Sequence, residues 1–243
     1  MANYSPQPAA EALPFLQASL KAITGPSVAN FRRLAQNPNA SLGQGLLWVV
    51  IAAAISSLLS GVLFTFFPAT SYQFKTLIDM FGQNTDLPTD FFARQVPTLA
   101  NLATTLICGI PMAIVGAVLA ALISAGLYHL IAKLLGGGGE YGKLVYMLAL
   151  VQAPISIVTG LITPIPYLGC LTFLIAIYGF VLFTLAIESV HLFGVGKAVL
   201  TLIIPTIVIC LFIICLVVGI IAIFGAAISE IYQQYPGGTL PLP

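Results

Sequence analysis

The chain has 243 residues, of which 59% are hydrophobic and only 6% are charged. Soluble domains carry about 25% charged residues, so this composition excludes a water-soluble globule and places the chain in a lipid bilayer. The net charge of +1 and the lack of a basic run argue against a nucleic-acid partner. The four cysteines form no C-x-x-C pair, which predicts small buried apolar side chains rather than disulfides or metal ligands.

Residues 1–44 are polar and rich in proline, and two short amphipathic helices are predicted within them. Apolar residues recur at helical spacing along Leu13–Ile23 and again along Val28–Ala35. We expect both helices to lie on an anionic membrane surface, where Phe31, Arg32 and Arg33 would contact headgroups or a partner protein. A loosely ordered tail is the alternative interpretation.

Five apolar segments follow, and each is long enough as a helix to cross a hydrocarbon core of about 30 Å. The predicted spans are residues 46–67, 111–134, 141–162, 168–190 and 197–224. A solvated loop is predicted for residues 68–97. A break or kink is predicted at Cys108–Pro111, and Pro205 is expected to bend the last span.

The sequence therefore predicts an all-α membrane protein with three parts. These are a cytoplasmic N-terminal segment at 1–44, a five-span domain at 45–225 and a short extracytoplasmic tail at 226–243. Basic residues accumulate on the cytoplasmic side of membrane proteins. With the N-terminus inside, six basic residues are cytoplasmic and two are not, the two being Lys75 and Arg94. In a prokaryote, the plasma (inner) membrane would be the location.

The turn between spans two and three resembles a phosphate-binding loop, because residues 137–144 read G-x-x-x-x-G-K-L. A P-loop requires a Ser or Thr where Leu144 stands, and it follows a buried strand rather than a transmembrane helix. We therefore predict no nucleotide site. The glycines are expected to provide flexibility and close packing at the inner surface.

Few polar residues fall within or beside the spans, and such residues are functional candidates by default. Glu188 and His191 share one helical face at the inner end of span four, and His129 lies near the inner end of span two. Three interpretations of these residues compete. They are interfacial residues with one ion pair that fixes span four, a proton-coupling cluster, or a metal site, for which more ligands would be needed. The first is preferred, and no metal is predicted.

Gln152 is the deepest polar side chain of span three, and Pro154 two residues later frees a backbone carbonyl. The Gln152 side chain is expected to form a hydrogen bond with that region or with a neighbouring helix, and so to stabilise helix packing. Small residues at four-residue spacing on spans one, two and five predict internal packing faces, with a homo-oligomer as the weaker alternative. The sequence contains no nucleophile elbow, H-E-x-x-H motif or paired carboxylates at catalytic spacing. We therefore predict neither an enzyme nor a cofactor.

Several stretches, taken together and in this order, resemble a known family. They are "GPSVANFRRLAQNP", "GGGGEYGKLVYMLALVQAPISIV", "ITPIPYLG" and "IYGFVLFTLAIESVHLFGVGKAV", followed by the proline-bearing final span. This order is similar to the Yip family (Ypt-interacting proteins), in its prokaryotic branch, over roughly Gly25 to Phe224. The resemblance implies five spans and a cytoplasmic N-terminus.

Eukaryotic members of that family act in vesicle traffic and bind Rab-type GTPases or membrane proteins, and many carry D-L-Y-G-P. Here Ala22–Thr24 precede Gly25 and Pro26, which argues against that kind of GTPase binding. The resemblance therefore favours a non-enzymatic membrane scaffold or organiser that binds partner proteins or lipids. The alternative is a transporter or permease subunit for lipid or a small apolar solute, with His129, Glu188 and His191 as its coupling site.

Overall fold

The structure is a computed structural model that describes residues 12–67, 105–165 and 167–234. Within these ranges the chain forms helices and no strand. The helices are α1 (Phe15–Thr24), α2 (Val28–Ala35), α3 (Leu42–Phe66), α4 (Ile110–Leu134), α5 (Tyr141–Ile162), α6 (Gly169–His191) and α7 (Val195–Gln234). Five of them, α3 to α7, contain segments long and apolar enough to cross a membrane. The prediction of an all-α membrane protein with five spanning helices is confirmed.

Some helix boundaries differ from the predicted ones, because the prediction did not consider capping residues. Helix α3 begins at Leu42 rather than near residue 46, because the Ser41 hydroxyl accepts a hydrogen bond from the Gln44 N–H at 3.3 Å and caps the helix. Helix α7 continues to Gln234, beyond the predicted end near residue 224. A π-helical turn, Thr105–Gly109, replaces the expected break at Cys108–Pro111, and Pro111 lies in the first turn of α4. The predicted loop at 68–97 and the last nine residues of the predicted tail lie outside the described residues.

The chain divides into two compact units between Thr201 and Leu202. The first contains α1 to α6 and the first turns of α7. The second contains the remainder of α7, which carries Pro205 and exposes large apolar side chains such as Ile207, Phe212 and Val218. All four cysteines are exposed, which corrects the expectation that they are buried. They lie on apolar helix surfaces that suit contact with lipid.

Helix α5 forms the core of the first unit, and every residue from Leu144 to Val151 is buried. It contacts α3 closely because glycines remove the side chains between them. A Cβ added to Gly45 would lie 3.0 Å from the backbone of Tyr146, and one added to Gly160 would lie 2.9 Å from the Ser56 carbonyl oxygen. The Ser60 hydroxyl also donates to the Gly160 carbonyl at 3.0 Å. Small residues thus bring the two backbones together, as in many membrane helix pairs.

Helix α1 runs along the side of α5 rather than across the ends of the helices. The Phe15 ring contacts Tyr146 edge-on at 5.8 Å, and the Ser19 hydroxyl donates to the Leu150 carbonyl at 2.6 Å. Both helices advance four residues between these contacts, so they run side by side in the same direction. Further on, the Tyr178 hydroxyl of α6 donates to the Ile23 carbonyl. Along α6, Tyr178 is about 20 Å from His191 at 1.5 Å per residue.

Helix α2 returns beside α1, and two asparagines fix this arrangement. The Asn30 amide donates to the carbonyls of Lys21 at 2.7 Å and Gly25 at 2.8 Å. The Asn37 amide donates to the Leu13 carbonyl at 2.9 Å. We call residues 13–37 the N-terminal hairpin. The two predicted amphipathic helices are therefore present, and they bury apolar side chains such as Phe15 and Phe31 within the bundle.

Candidate functional site

An ion pair joins the N-terminal hairpin to α6. Both the Nη2 and Nε atoms of Arg32 hydrogen-bond to the Glu188 carboxylate, the latter at 3.4 Å from Oε2. The Glu188 side chain is 1% exposed and that of Arg32 is 47% exposed. The hydrogen bond and charge of Glu188 raise the pKa of the Arg32 guanidinium above its ordinary value. Arginine suits this role because its planar fork matches a carboxylate with two hydrogen bonds.

The three residues predicted to face lipid or a partner occupy different environments. Phe31 is fully buried, so its side chain packs within the chain and holds the hairpin to the bundle. Arg32 is engaged by Glu188. Arg33 is exposed and makes no ion pair with any described residue. Of the three, Arg33 is the one that is exposed and has no ion pair with a described residue.

The carbonyl freed by Pro154 has a partner that the sequence did not indicate. Proline at 154 has no N–H to donate to the carbonyl four residues earlier, which is that of Leu150. The Ser19 hydroxyl of α1 occupies this acceptor at 2.6 Å in a buried site. Gln152, which was expected to bond there, makes no hydrogen bond with the described residues, and its side chain is exposed.

The glycine turn between α4 and α5 closes over the end of α6. The N–H of Gly139 donates to Nδ1 of His191 at 3.2 Å, and the N–H of Gly138 points to the His191 carbonyl at 3.4 Å. A Cβ on Gly137 would lie 2.6 Å from the His191 Nδ1 atom, and a Cβ on Gly139 would lie 2.6 Å from the Val190 carbonyl oxygen. Leu144, at the P-loop hydroxyl position, is fully buried in α5. The glycines thus serve close packing.

The predicted cluster of His129, Glu188 and His191 separates into two groups. The imidazole rings of His129 and His191 lie 5.2 Å apart, centroid to centroid. No hydrogen bond joins Glu188 to either ring within the described part of the chain, because its carboxylate faces Arg32. His191 Nε2 and His129 Nδ1 are buried and have no described partner. No group of three or more His, Cys, Asp or Glu residues suited to a metal occurs among the described residues.

The outward surface of the hairpin combines apolar and basic parts. Leu16 and Leu20 of α1 are exposed by 61% and 62%, one helical turn apart. Helix α2 bears a shallow concavity of about 460 Å³ that includes Asn30, Arg32 and Arg33. We call these exposed side chains of the two hairpin helices, Leu16, Leu20 and Arg33, the hairpin surface. They are two apolar side chains and one exposed cation.

Sequence reasoning missed the residues that attach the hairpin. Ser19 and Asn37 have no periodicity signal, yet both are buried and hydrogen-bonded. The one available signal was the proline at 154, which predicts an unpaired carbonyl that needs a donor from another segment. The Arg32 partner was also missed, although an ion pair at Glu188 was among the interpretations weighed.

A family model described as the Yip1 domain matches residues 21–217, which includes most of the hairpin, the helices α3 to α6 and α7 as far as residue 217. Neither a curated protein nor a solved structure matches the chain significantly. The matched region covers well over half of the 243 residues. The chain therefore belongs to the Yip1 domain family of membrane proteins.

Proposed function

We propose that this protein is a non-enzymatic membrane scaffold of the Yip type, which binds a partner membrane protein through the hairpin surface. The observation that carries the proposal is the attachment of the hairpin to the bundle. Arg32 pairs with Glu188, Ser19 bonds to Leu150, and Phe31 is buried. These contacts hold Leu16, Leu20 and Arg33 in a fixed arrangement, and a preorganised surface loses less entropy on binding.

The composition of the hairpin surface supports a protein partner with an apolar segment beside an acidic group. Leu16 and Leu20 are spaced to meet a neighbouring helix, while the Arg33 guanidinium can donate hydrogen bonds to a carboxylate. The anionic headgroup of a lipid is the competing ligand for Arg33. A second copy of the chain is the other alternative, and the experiment below distinguishes all three.

The residues of the alternative transporter hypothesis have structural roles in this arrangement. The Glu188 carboxylate binds Arg32, and Nδ1 of His191 accepts a hydrogen bond from the glycine turn. A coupling site needs groups that exchange protons during a cycle. Because Glu188 and His191 are already held by these hydrogen bonds, we prefer the scaffold hypothesis to the transporter hypothesis.

The proposal includes the orientation of the chain in the membrane and the kind of membrane that contains it. The charge distribution supports a cytoplasmic N-terminus and an extracytoplasmic C-terminus, with six basic residues against two. The sequence Ala22–Thr24 stands before Gly25 and Pro26 where many eukaryotic members have D-L-Y, which supports a protein that does not recognise a GTPase through this segment. The proposed prokaryotic type, with a plasma-membrane location, rests on the resemblance of the ordered sequence stretches.

The test is photocrosslinking in native membranes with a crosslinking amino acid in place of Gln36, an exposed residue of the α2 concavity that leaves Arg33 intact. The matched control carries it at Met112, an α4 residue that is 71% exposed on the apolar helix surface. Mass spectrometry should identify one dominant partner protein from position 36 and none from position 112. Crosslinks from position 36 only to lipid or to a second copy would contradict the proposal.

A further inference from the structure

A partly open cavity of about 490 Å³ lies between α3, α4 and α5 of the first unit. By residue count, Gln152 on its wall is about 17 Å along α5 from Tyr141, which is near the midpoint of a 30 Å hydrocarbon core. Helix α4 contributes mainly alanines to the wall, among them Ala113, Ala117 and Ala120. These side chains are too short to fill the space between the helices.

The part of the cavity wall that the structure describes carries several polar side chains and no charged one. The polar members are an amide, a phenol and four aliphatic hydroxyls, contributed by Gln152, Tyr128, Ser56, Ser57, Ser124 and Ser156. Among the described residues, no Asp, Glu, Lys, Arg or His is part of the wall. A charged ligand at this depth would lack a counter-ion and pay a large desolvation cost. The occupant must therefore be uncharged.

The hydrogen-bonding capacity of this wall is largely unused. The hydroxyls of Ser56, Ser124 and Ser156 donate to carbonyls of their own helices at 3.2, 3.2 and 2.9 Å, and so retain lone pairs as acceptors. Gln152 and Tyr128 form no hydrogen bond with any residue that the structure describes. An amide without a partner in apolar surroundings is costly, so a ligand that satisfies Gln152 would be stabilised there.

We propose that this cavity binds an uncharged lipid whose small head offers carbonyl or hydroxyl oxygens. That chemistry is shared by lipid quinones and diacylglycerols. The Gln152 amide donates to the head oxygens, Tyr128 adds a second donor, and the alanines of α4 contact the apolar part. The volume falls within the range of about 300–1,000 Å³ typical of small-molecule sites. This site is separate from the hairpin surface, so it neither requires nor replaces the scaffold proposal.

The experiment measures lipid binding to the purified full chain by native mass spectrometry. Decylubiquinone and dioctanoylglycerol are titrated separately, and the fraction of protein that carries one lipid is followed. The intact chain should bind at least one probe saturably with one molecule per chain. The probe that binds more tightly distinguishes the quinone head from the glycerol head, and phosphatidic acid, which is charged, should not compete.

Three variants locate the binding. Gln152→Leu removes the amide at similar volume and should weaken binding about tenfold, the loss expected for one hydrogen bond made in apolar surroundings. Ala120→Phe fills the cavity and should abolish binding. Leu119→Phe, on a neighbouring α4 residue that is 53% exposed and not part of the wall, should bind as the original chain does.

A second readout separates a lost site from a damaged fold. Without lipid, Gln152→Leu should melt at the same or a higher temperature, because it removes an unpaired amide from the bundle. The proposal is overturned if neither probe binds saturably to the intact chain. It is equally overturned if Gln152→Leu and Ala120→Phe bind as the intact chain does, or if Leu119→Phe loses binding as fully as Ala120→Phe.

Discussion

Replacing Gly139 by alanine should destabilise the protein, although the position lies in a turn between two helices. The added Cβ would lie 2.6 Å from both Cγ1 and the carbonyl oxygen of Val190, where ordinary contacts begin at 3.4 Å. One of the neighbours is backbone, so either the turn or the end of α6 must move by about 0.8 Å. Overpacking of this kind costs about 1–3 kcal/mol. For a chain of this size, the midpoint of thermal unfolding should fall by several degrees.

Gly138→Ala is the matched control, because nothing lies within 4 Å of a Cβ added at that position. Both variants are purified in the same detergent and heated, and the soluble folded fraction is measured by size-exclusion chromatography. Gly139→Ala should melt several degrees below the original chain, and Gly138→Ala within about one degree. Equal losses in the two variants would refute the packing argument and would mean that the turn needs glycine for another reason.

Two further predictions concern the hairpin. Ser19→Ala leaves the Leu150 carbonyl without its buried donor and should cost about 1–3 kcal/mol of unfolding free energy. Pro154→Ala restores the intrahelical N–H, so in that background Ser19→Ala should cost clearly less, and additive losses in a double-mutant cycle would contradict this reading. Phe31→Ala should cost about 3–5 kcal/mol because the ring is fully buried. Leu16→Ala, at an exposed position of the same hairpin, should stay within about 0.5 kcal/mol by the same melting assay.

The spanning helices could be predicted because their signal is local and strong. In a bilayer, each crossing segment must form its backbone hydrogen bonds within itself and must contain about 20 mainly apolar residues. The number of spanning helices and their approximate positions can therefore be predicted from the apolar segments of the sequence. The boundaries depend on single capping residues such as Ser41, so they were less accurate. The amphipathic pattern of residues 13–35 likewise predicted both short helices.

The position of those short helices could not be predicted in the same way. Periodicity shows that α1 and α2 each have an apolar face, but it does not show which surface covers that face. A membrane interface and the side of α5 are both apolar, so either could do so. The deciding contacts involve Ser19, Asn37 and Arg32, whose partners are more than 20 residues away along the chain. Gln152 illustrates the same limit, because the cavity beside it arises from small residues on three different helices.

The Arg32–Glu188 pair is proposed to hold the hairpin surface in the arrangement that a partner recognises. The deciding measurement compares the yield of the crosslink from position 36 in Glu188→Arg with that in the charge swap Arg32→Glu/Glu188→Arg, both in native membranes. The single variant should lose most of the crosslink to the partner, because Arg32 then faces a like charge, and the swap should recover it. An unchanged yield in Glu188→Arg would contradict this role of the ion pair, since the partner would then bind without the fixed hairpin.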